Sequence, residues 1–359
     1  MSQIAKMFEV DRKGVNVSRG LVVLGVLVIP LVVLAATNHE LYWLSVSFGA
    51  LFVAISDPGG PYRVRLTGMV GVGLFGALLT ALGFAMGGGP WGWVVVAAFA
   101  VTLLSGLCLR FGLHRFVASL LLNVWFLIAL SLPAGEHLNA TQSHWWQQAL
   151  AWLVGVALWI AFTLVGWLAR GRKEQASHFP EIPGDRTGKA LTRPVILFAI
   201  IRAVAVAIAV AIAFGLQLPN ADWMPVATLV AMKSSLGQAT LAAEQRLVGT
   251  LIGALVATVF LLTVDHKHIL EAVIVILMAF AASFQAANYA IYCAAVAAAV
   301  LIALDLPHPS NLTAEGERVL FTFIGLGIGI IVLVLAGLLA KHAAKAASPA
   351  ASPPPPAAA

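Results

Sequence analysis

Two polar interruptions in an otherwise apolar chain hold the residues best suited to chemistry. The first, Asp57-Pro58-Gly59-Gly60-Pro61, ends an apolar run that begins at Tyr42. The second, Lys233-Ser234-Ser235-Leu236-Gly237-Gln238, ends a shorter run that begins at Trp223. A helix that breaks close to the membrane exposes backbone N–H groups and a helix dipole to a ligand, so a pair of interrupted helices in corresponding positions points to a substrate site. Lys233, with Ser234, Ser235 and Gln238 beside it, suits a carboxylate. On the plainer reading Lys233 caps a short helix and snorkels to water. Arg65 and Arg246 each precede a glycine-rich face, Gly68, Gly71, Gly73 and Gly76 in one case and Gly249 and Gly253 in the other. Those glycines fit close helix packing, with Gly68, Gly249 and Gly253 as the motif positions. The arginines read either as cytoplasmic anchors or as anion ligands. Asp57 and Glu244 are the acids nearest the breaks, placed to carry a proton or to pair with Arg63, Arg65 or Arg246. Trp125, with Asn123 in mid-helix, is a candidate for stacking an aromatic ligand. Arg202, about one turn inside its helix, reads as snorkelling to the cytoplasmic face, because an unpaired charge at the bilayer centre costs about 3 kcal/mol.

The elements that position these residues must lie in lipid. Of 359 residues 61% are hydrophobic and only 10% charged, and the mean hydropathy is +0.96, a surface that water would not tolerate. Spans of roughly 17 to 25 residues are expected near 20–37, 41–56, 66–86, 91–109, 114–132, 145–169, 195–216, 223–236, 246–264, 269–284, 288–305 and 317–340. The stretch from Glu271 to Asp305 would overshoot the bilayer as one helix, so a hairpin turning at Phe284-Gln285-Ala286-Ala287-Asn288 is the better reading. The fold class is therefore an all-α membrane protein of about twelve transmembrane helices.

Internal repetition organises them. Ala129-Leu130-Ser131-Leu132-Pro133 reappears as Ala303-Leu304-Asp305-Leu306-Pro307. Gly166-Trp167-Leu168-Ala169-Arg170 is answered by Gly337-Leu338-Leu339-Ala340-Lys341, and Trp43 followed by Arg65-Leu66-Thr67-Gly68 by Trp223 followed by Arg246-Leu247-Val248-Gly249. Units with an even number of spans enter the membrane from the same side, giving two parallel six-helix repeats with a site expected where they meet. The expected boundaries are a cytoplasmic segment at 1–19, a first repeat at 20–170, a cytoplasmic linker at 171–193, a second repeat at 194–341 and a disordered Ala/Pro-rich tail at 342–359.

Lys6, Arg12, Lys13 and Arg19 near the start and Arg170, Arg172, Lys173, Arg186, Lys189 and Arg193 in the central loop place both termini in the cytoplasm by the positive-inside rule. No cleavable signal peptide is evident before the first span. Trp43, Trp223, Trp91, Trp93, Trp145 and Trp146 fall at outer ends of spans and read as an aromatic belt. The net charge of +6 sits in short loops without interleaved aromatics, which argues against nucleic acid. Cys108 and Cys293 lie in apolar surroundings and support neither a disulfide nor a metal cage; His266 and His268 around Lys267 are a poor metal site. With no phosphate-binding loop, nucleophile elbow or metalloprotease helix, the sequence implies no cofactor, no metal and no enzyme.

The run from Trp223-Met224-Pro225 through Lys233-Ser234-Ser235-Leu236-Gly237 to Glu244-Gln245-Arg246-Leu247-Val248-Gly249-Thr250-Leu251-Ile252-Gly253-Ala254 resembles the repeated motif of the fusaric acid resistance (FUSC) and aromatic acid exporter family. Phe8-Glu9-Val10-Asp11 through Arg19-Gly20 and Glu317-Arg318-Val319-Leu320 through Gly325 are also similar to it. The resemblance implies a bacterial inner-membrane efflux protein, proton-coupled, for aromatic or other hydrophobic carboxylic acids, with Trp223, Pro225, Arg246, Gly249 and Gly253 as motif positions. The chain departs from that pattern in having only Gly171 to Thr192 where many members carry a cytoplasmic domain, Phe321 where an acid is expected, and Val53 or Ala54 opposite Lys233. Expected partners are a small organic anion and membrane lipids. A homo-oligomer, a periplasmic efflux partner, a passive anion channel of the same fold and a non-transporting scaffold stay open.

Overall fold

The computed structural model describes residues 9–135, 145–173, 190–218, 223–232, 240–305, 317, 320–332 and 334–335. Among the described residues six α-helices occupy the first half: α1 (Val17–Ala36), α2 (Trp43–Ile55), α3 (Tyr62–Met86), α4 (Trp91–Leu107), α5 (Leu113–Gly135) and α6 (Trp145–Ala169). Six more follow: α7 (Arg193–Gly215), α8 (Trp223–Ala231), α9 (Thr240–Thr263), α10 (Lys267–Phe284), α11 (Tyr289–Asp305) and α12 (Leu320–Val332). No strand occurs among the described residues. Seven described segments are long and apolar enough to cross a membrane, and the rest are shorter apolar helices. The chain is thus an all-helical, multi-pass membrane protein.

Local chemistry sets the ends. The Asn16 side chain caps α1 by accepting from the Arg19 N–H at 3.0 Å, and Pro194 follows the first residue of α7, where a missing N–H costs nothing. The expected hairpin is present between α10 and α11. The Ala287 and Asn288 N–H groups both donate to the Phe284 carbonyl at 3.0 Å, and Asn288 Oδ1 accepts from the Ile291 N–H at 2.9 Å to start the next helix. The Ala/Pro-rich tail and most of the central linker fall outside the described residues.

Two of the short described helices, α2 and α8, stand apart by their burial. At 1.5 Å per residue α2 spans about 20 Å and α8 about 13 Å, short of a hydrocarbon core of about 30 Å. Both are surrounded by protein. Every residue of α2 from Ser45 to Ala54 is buried, as is every residue of α8 from Trp223 to Leu229. Their sequences are apolar all round because they meet protein on every side. Trp43 and Trp223 consequently depart from the expected belt. They begin these two helices and are 2% and 4% exposed, whereas Trp91, Trp93, Trp145 and Trp146 are exposed as a belt requires.

The helices pack in corresponding pairs. α1 packs on α2 and α7 on α8; α3 packs on α5 and α9 on α11; α4 packs on α5 and α10 on α11. α2 lies along α6, while α8 meets α12 where Thr228 Oγ1 donates to the Gly325 carbonyl at 3.0 Å. Across the halves, α4 packs on α7 and α10 on α1.

Candidate functional site

The end of α2 is built to hold charge inside the protein. Beyond Ile55 the chain turns through Gly59 and Gly60, whose φ values of 67° and 83° favour glycine, and re-enters as α3 at Tyr62. The turn brings Asp57 and Arg65 together. Arg65 Nε donates to Asp57 Oδ1 at 2.9 Å and a terminal guanidinium nitrogen to Oδ2 at 2.5 Å; both side chains are 0% exposed. Asp57 Oδ1 also accepts from the Gly59 N–H at 3.1 Å. A bidentate, charge-assisted pair is the arrangement in which a buried arginine and carboxylate offset one another's desolvation. The two candidates from the first break are therefore one unit, and the ion-pairing reading of Asp57 holds with Arg65 as its partner.

A third residue joins the site that the sequence did not single out. His114, at the start of α5, is 8% exposed, and its Nε2 lies 2.9 Å from the Ser56 carbonyl. A carbonyl only accepts, so Nε2 carries the proton and donates. The histidine thereby ties α5 to the broken end of α2. A lone histidine next to Arg115 in a loop-like stretch gives no periodic signal of such a contact.

Arg202 also differs from its expectation. It lies well inside α7, is 0% exposed, and its guanidinium sits 5.6 Å from the centre of the Phe116 ring, a cation–π contact inside the protein instead of a snorkelling side chain. Trp125 is likewise fully buried. Its Nε1 donates to Thr80 Oγ1 at 2.7 Å, and its ring packs on Phe48 and Trp152 at centroid distances of 5.0 and 5.3 Å. Asn123 donates to Thr102 Oγ1 at 3.2 Å.

The glycine positions divide. A Cβ on Gly249 or Gly253 would collide with the Ala290 or Ala294 carbonyl of α11, so both permit the close approach of α9 and α11; Gly68 has ordinary contact with the Pro58 ring. Lys233, Ser234, Ser235 and Gln238 lie outside the described residues. Glu244 and Arg246 lie on α9, but their side chains fall outside what is described. No group of three metal-ligating side chains occurs among the described residues.

A cleft separates the halves beside α2. It is a small space of about 20 Å³ between Leu27 of α1, the Leu44, Ser47, Phe48 and Leu51 face of α2, and Ile274, Met278, Ala299, Val300 and Ala303 of α10 and α11. Its surface is apolar.

Comparison with known proteins bears on the second half of the chain. Residues 206–332 match the model of the fusaric acid resistance protein-like family. The matched segment runs from within α7 to the end of α12 and supports the FUSC resemblance carried by the motifs at Trp223, Arg246, Gly249 and Gly253. A search of curated proteins and a search of solved structures gave no match. A FUSC-like region in a multi-pass helical chain points to a membrane transport or resistance protein.

Proposed function

We propose that the protein exports small organic anions, aromatic carboxylic acids foremost, across the bacterial inner membrane with proton coupling. The observation that carries this reading is the buried Asp57–Arg65 pair at the broken end of a helix enclosed by protein. An enclosed charge pair beside irregular backbone is costly in a membrane and is characteristic of ion and substrate pathways. Arg65 offers a planar fork to a carboxylate. An arriving substrate anion competes with Asp57 for that fork, and the displaced Asp57 becomes the group that can take a proton. Lys233 and Arg246, with Ser234, Ser235 and Gln238, act as the matching cationic side in the second half, and Glu244 as its acid. Trp125, held by Thr80 and its aromatic neighbours, is assigned to positioning α2 and not to substrate contact.

The corresponding helix pairs in the two halves, together with the exchange of α4–α7 and α10–α1 contacts, support two parallel six-helix repeats around a central axis. The Lys and Arg distribution supports cytoplasmic termini.

The test is benzoate flux in proteoliposomes with an imposed pH gradient. Asp57→Asn and Glu244→Gln are expected to lower gradient-driven flux at least tenfold while the purified proteins remain folded. Undiminished flux in both variants would instead assign a passive anion channel, and absence of flux in the wild type would assign a scaffold.

A further inference from the structure

The end of α6 and the start of α3 bring four cations together with two stacked rings. α6 closes in a Schellman turn: the Gly171 N–H donates to the Leu168 carbonyl at 3.1 Å and the Arg172 N–H to the Trp167 carbonyl at 2.9 Å. Gly171 takes the left-handed φ of 68° that such a turn favours, and Arg172 follows with a φ of 62°, a conformation few residues with a Cβ adopt. The Arg172 guanidinium lies over the Trp167 indole, 5.9 Å from the ring centre. Trp167 in turn stacks on Tyr62, the first residue of α3, with centroids 4.9 Å apart and planes 20° from parallel. The Tyr62 hydroxyl donates to the Ile160 carbonyl of α6 at 3.4 Å. Arg63, Arg170 and Lys173 are exposed like Arg172, and none of the four has an ion-pair partner among the described residues. α3 and α6 contain no acid, and Asp57, just before α3, is committed to Arg65. Glu174 lies outside the described residues.

We propose that this end of the α3–α6 pair binds the phosphate of an anionic phospholipid, with Arg172 as the fork that receives it. The two helices pack along one another, and Val64 of α3 and Phe162, Val165 and Leu168 of α6 are exposed apolar residues. In a multi-pass membrane chain such faces meet acyl chains, so the cations that follow Leu168 stand at the level of the lipid headgroups. Clusters of Lys and Arg immediately beyond a membrane helix attract anionic heads. The Trp167 ring holds the guanidinium by one face and leaves its N–H edge open, and that edge offers two parallel donors to a phosphate. A dissolved carboxylate gains little from exposed arginines in water. A lipid phosphate is kept beside them by its own chains, so the same contacts suffice to bind it. Arg110 and Arg193 are equally exposed but have no such ring contact among the described residues, so their charge attracts lipid without orienting it. A lipid at this place braces α3 three residues before Arg65. Its binding does not rest on the export reading.

Native mass spectrometry of the full-length protein in detergent tests the assignment, with dioleoylphosphatidylglycerol as probe and the zwitterionic dioleoylphosphatidylcholine as its counterpart. The wild type is expected to bind the anionic lipid about tenfold more tightly. Arg172→Ala should weaken phosphatidylglycerol about fivefold, equivalent to about 1 kcal/mol for one basic residue at a membrane surface, and leave phosphatidylcholine unchanged. Trp167→Leu removes the platform and no charge, and should weaken phosphatidylglycerol about threefold. Arg172→Lys keeps the charge without the planar fork and should fall between Arg172→Ala and the wild type. Arg110→Ala, which removes an equal charge from another place, should bind as the wild type does. The assignment is overturned if the wild type binds the two lipids equally, or if Arg172→Ala keeps wild-type affinity for phosphatidylglycerol. It also falls if Arg110→Ala loses as much as Arg172→Ala, which would make the attraction diffuse, or if millimolar benzoate displaces the lipid, which would make the fork a carboxylate site. Arg172 and Arg110 are both exposed, so this pair of variants decides the matter even if Trp167→Leu does not fold. None of these outcomes depends on benzoate flux, so the export reading stands or falls separately.

Discussion

The two seams that join the halves are built differently. Along α4 and α7 the contact is between small residues: Gly106 faces Ala199, and α7 buries Ala199, Ala203, Ala205, Ala209 and Ala213. Backbones approach closely and little space remains. Along α1 and α10 the helices are tied at their ends and looser between. At one end Lys267 pairs with Glu40; at the other the Asp11 and Asn16 N–H groups donate to the Ala287 and Ser283 carbonyls at 2.9 Å. The apolar cleft opens beside this second seam. Close-packed surfaces of small side chains resist sliding, whereas a seam containing space has alternative packings within reach. Any rearrangement between the halves is therefore expected at the α1–α10 side, with α4–α7 as the fixed side.

Breaking the fixed seam has the largest expected effect. A Cβ at Gly106 would lie 2.7 Å from Ala199 Cβ and 2.9 Å from its Cα, atoms that cannot move without shifting α7. Gly106→Val should cost about 3 kcal/mol, at the upper end of overpacking penalties, and lower the melting temperature of the detergent-purified protein by several degrees. Gly25, whose added Cβ would meet nothing within 4 Å, supplies the control, and Gly25→Val should melt close to the wild type. Equal melting of the two variants would deny the tight seam.

The looser seam should yield more gently. A Cβ at Gly20 would strike Ser283 Oγ, which can rotate away, and approach the Ala279 carbonyl at 2.7 Å, which cannot. Gly20→Ala is expected to cost about 1–2 kcal/mol, with roughly half recovered by adding Ser283→Ala. Pairs in contact are expected to be non-additive in this way. Strict additivity of the two substitutions would mean that Ser283 is not the obstacle.

How far these differences could be read beforehand depends on what periodicity reports. Helix positions, the hairpin at Gln285 to Asn288 and the close-packing role of Gly249 and Gly253 follow from run lengths, turn residues and glycine spacing. Lateral position does not, because a residue facing lipid and one facing another helix are equally apolar. That ambiguity is why Trp43 and Trp223 read as membrane anchors although they begin buried helices, and why Arg202 reads as snorkelling although its helix lies against α4 and α8. Asp57 and Arg65 were legible because a charge next to Pro and Gly is rare in such a chain. His114 was not, since its importance lies in one carbonyl contributed by a distant segment.

The smallest expected effect concerns the tie at the end of the looser seam. Glu40 lies in the turn joining α1 to α2 and pairs with Lys267 at the start of α10, with side chains 27% and 41% exposed. The hydrogen bond from Lys267 holds the Glu40 carboxyl below its ordinary value of 4.5, with burial opposing it and the charge of Lys267 adding to the lowering. A carboxylate whose pKa is lowered on folding adds stability that is present above its unfolded value and lost as the pH falls through the folded one. Lys267→Ala should therefore cost less than about 1 kcal/mol at neutral pH, the range of exposed ion pairs. It should also flatten the part of the acid limb of melting temperature against pH that lies below 4.5. Added salt should shrink the difference between variant and wild type at neutral pH. Because Lys267 also lies 3.8 Å from Glu271, Glu40→Gln isolates the tie between α1 and α10. If both variants lose the same acid-dependent increment, the stability comes from the bridge between the halves. If only Lys267→Ala loses it, the contribution is internal to α10 and this end of the seam is open.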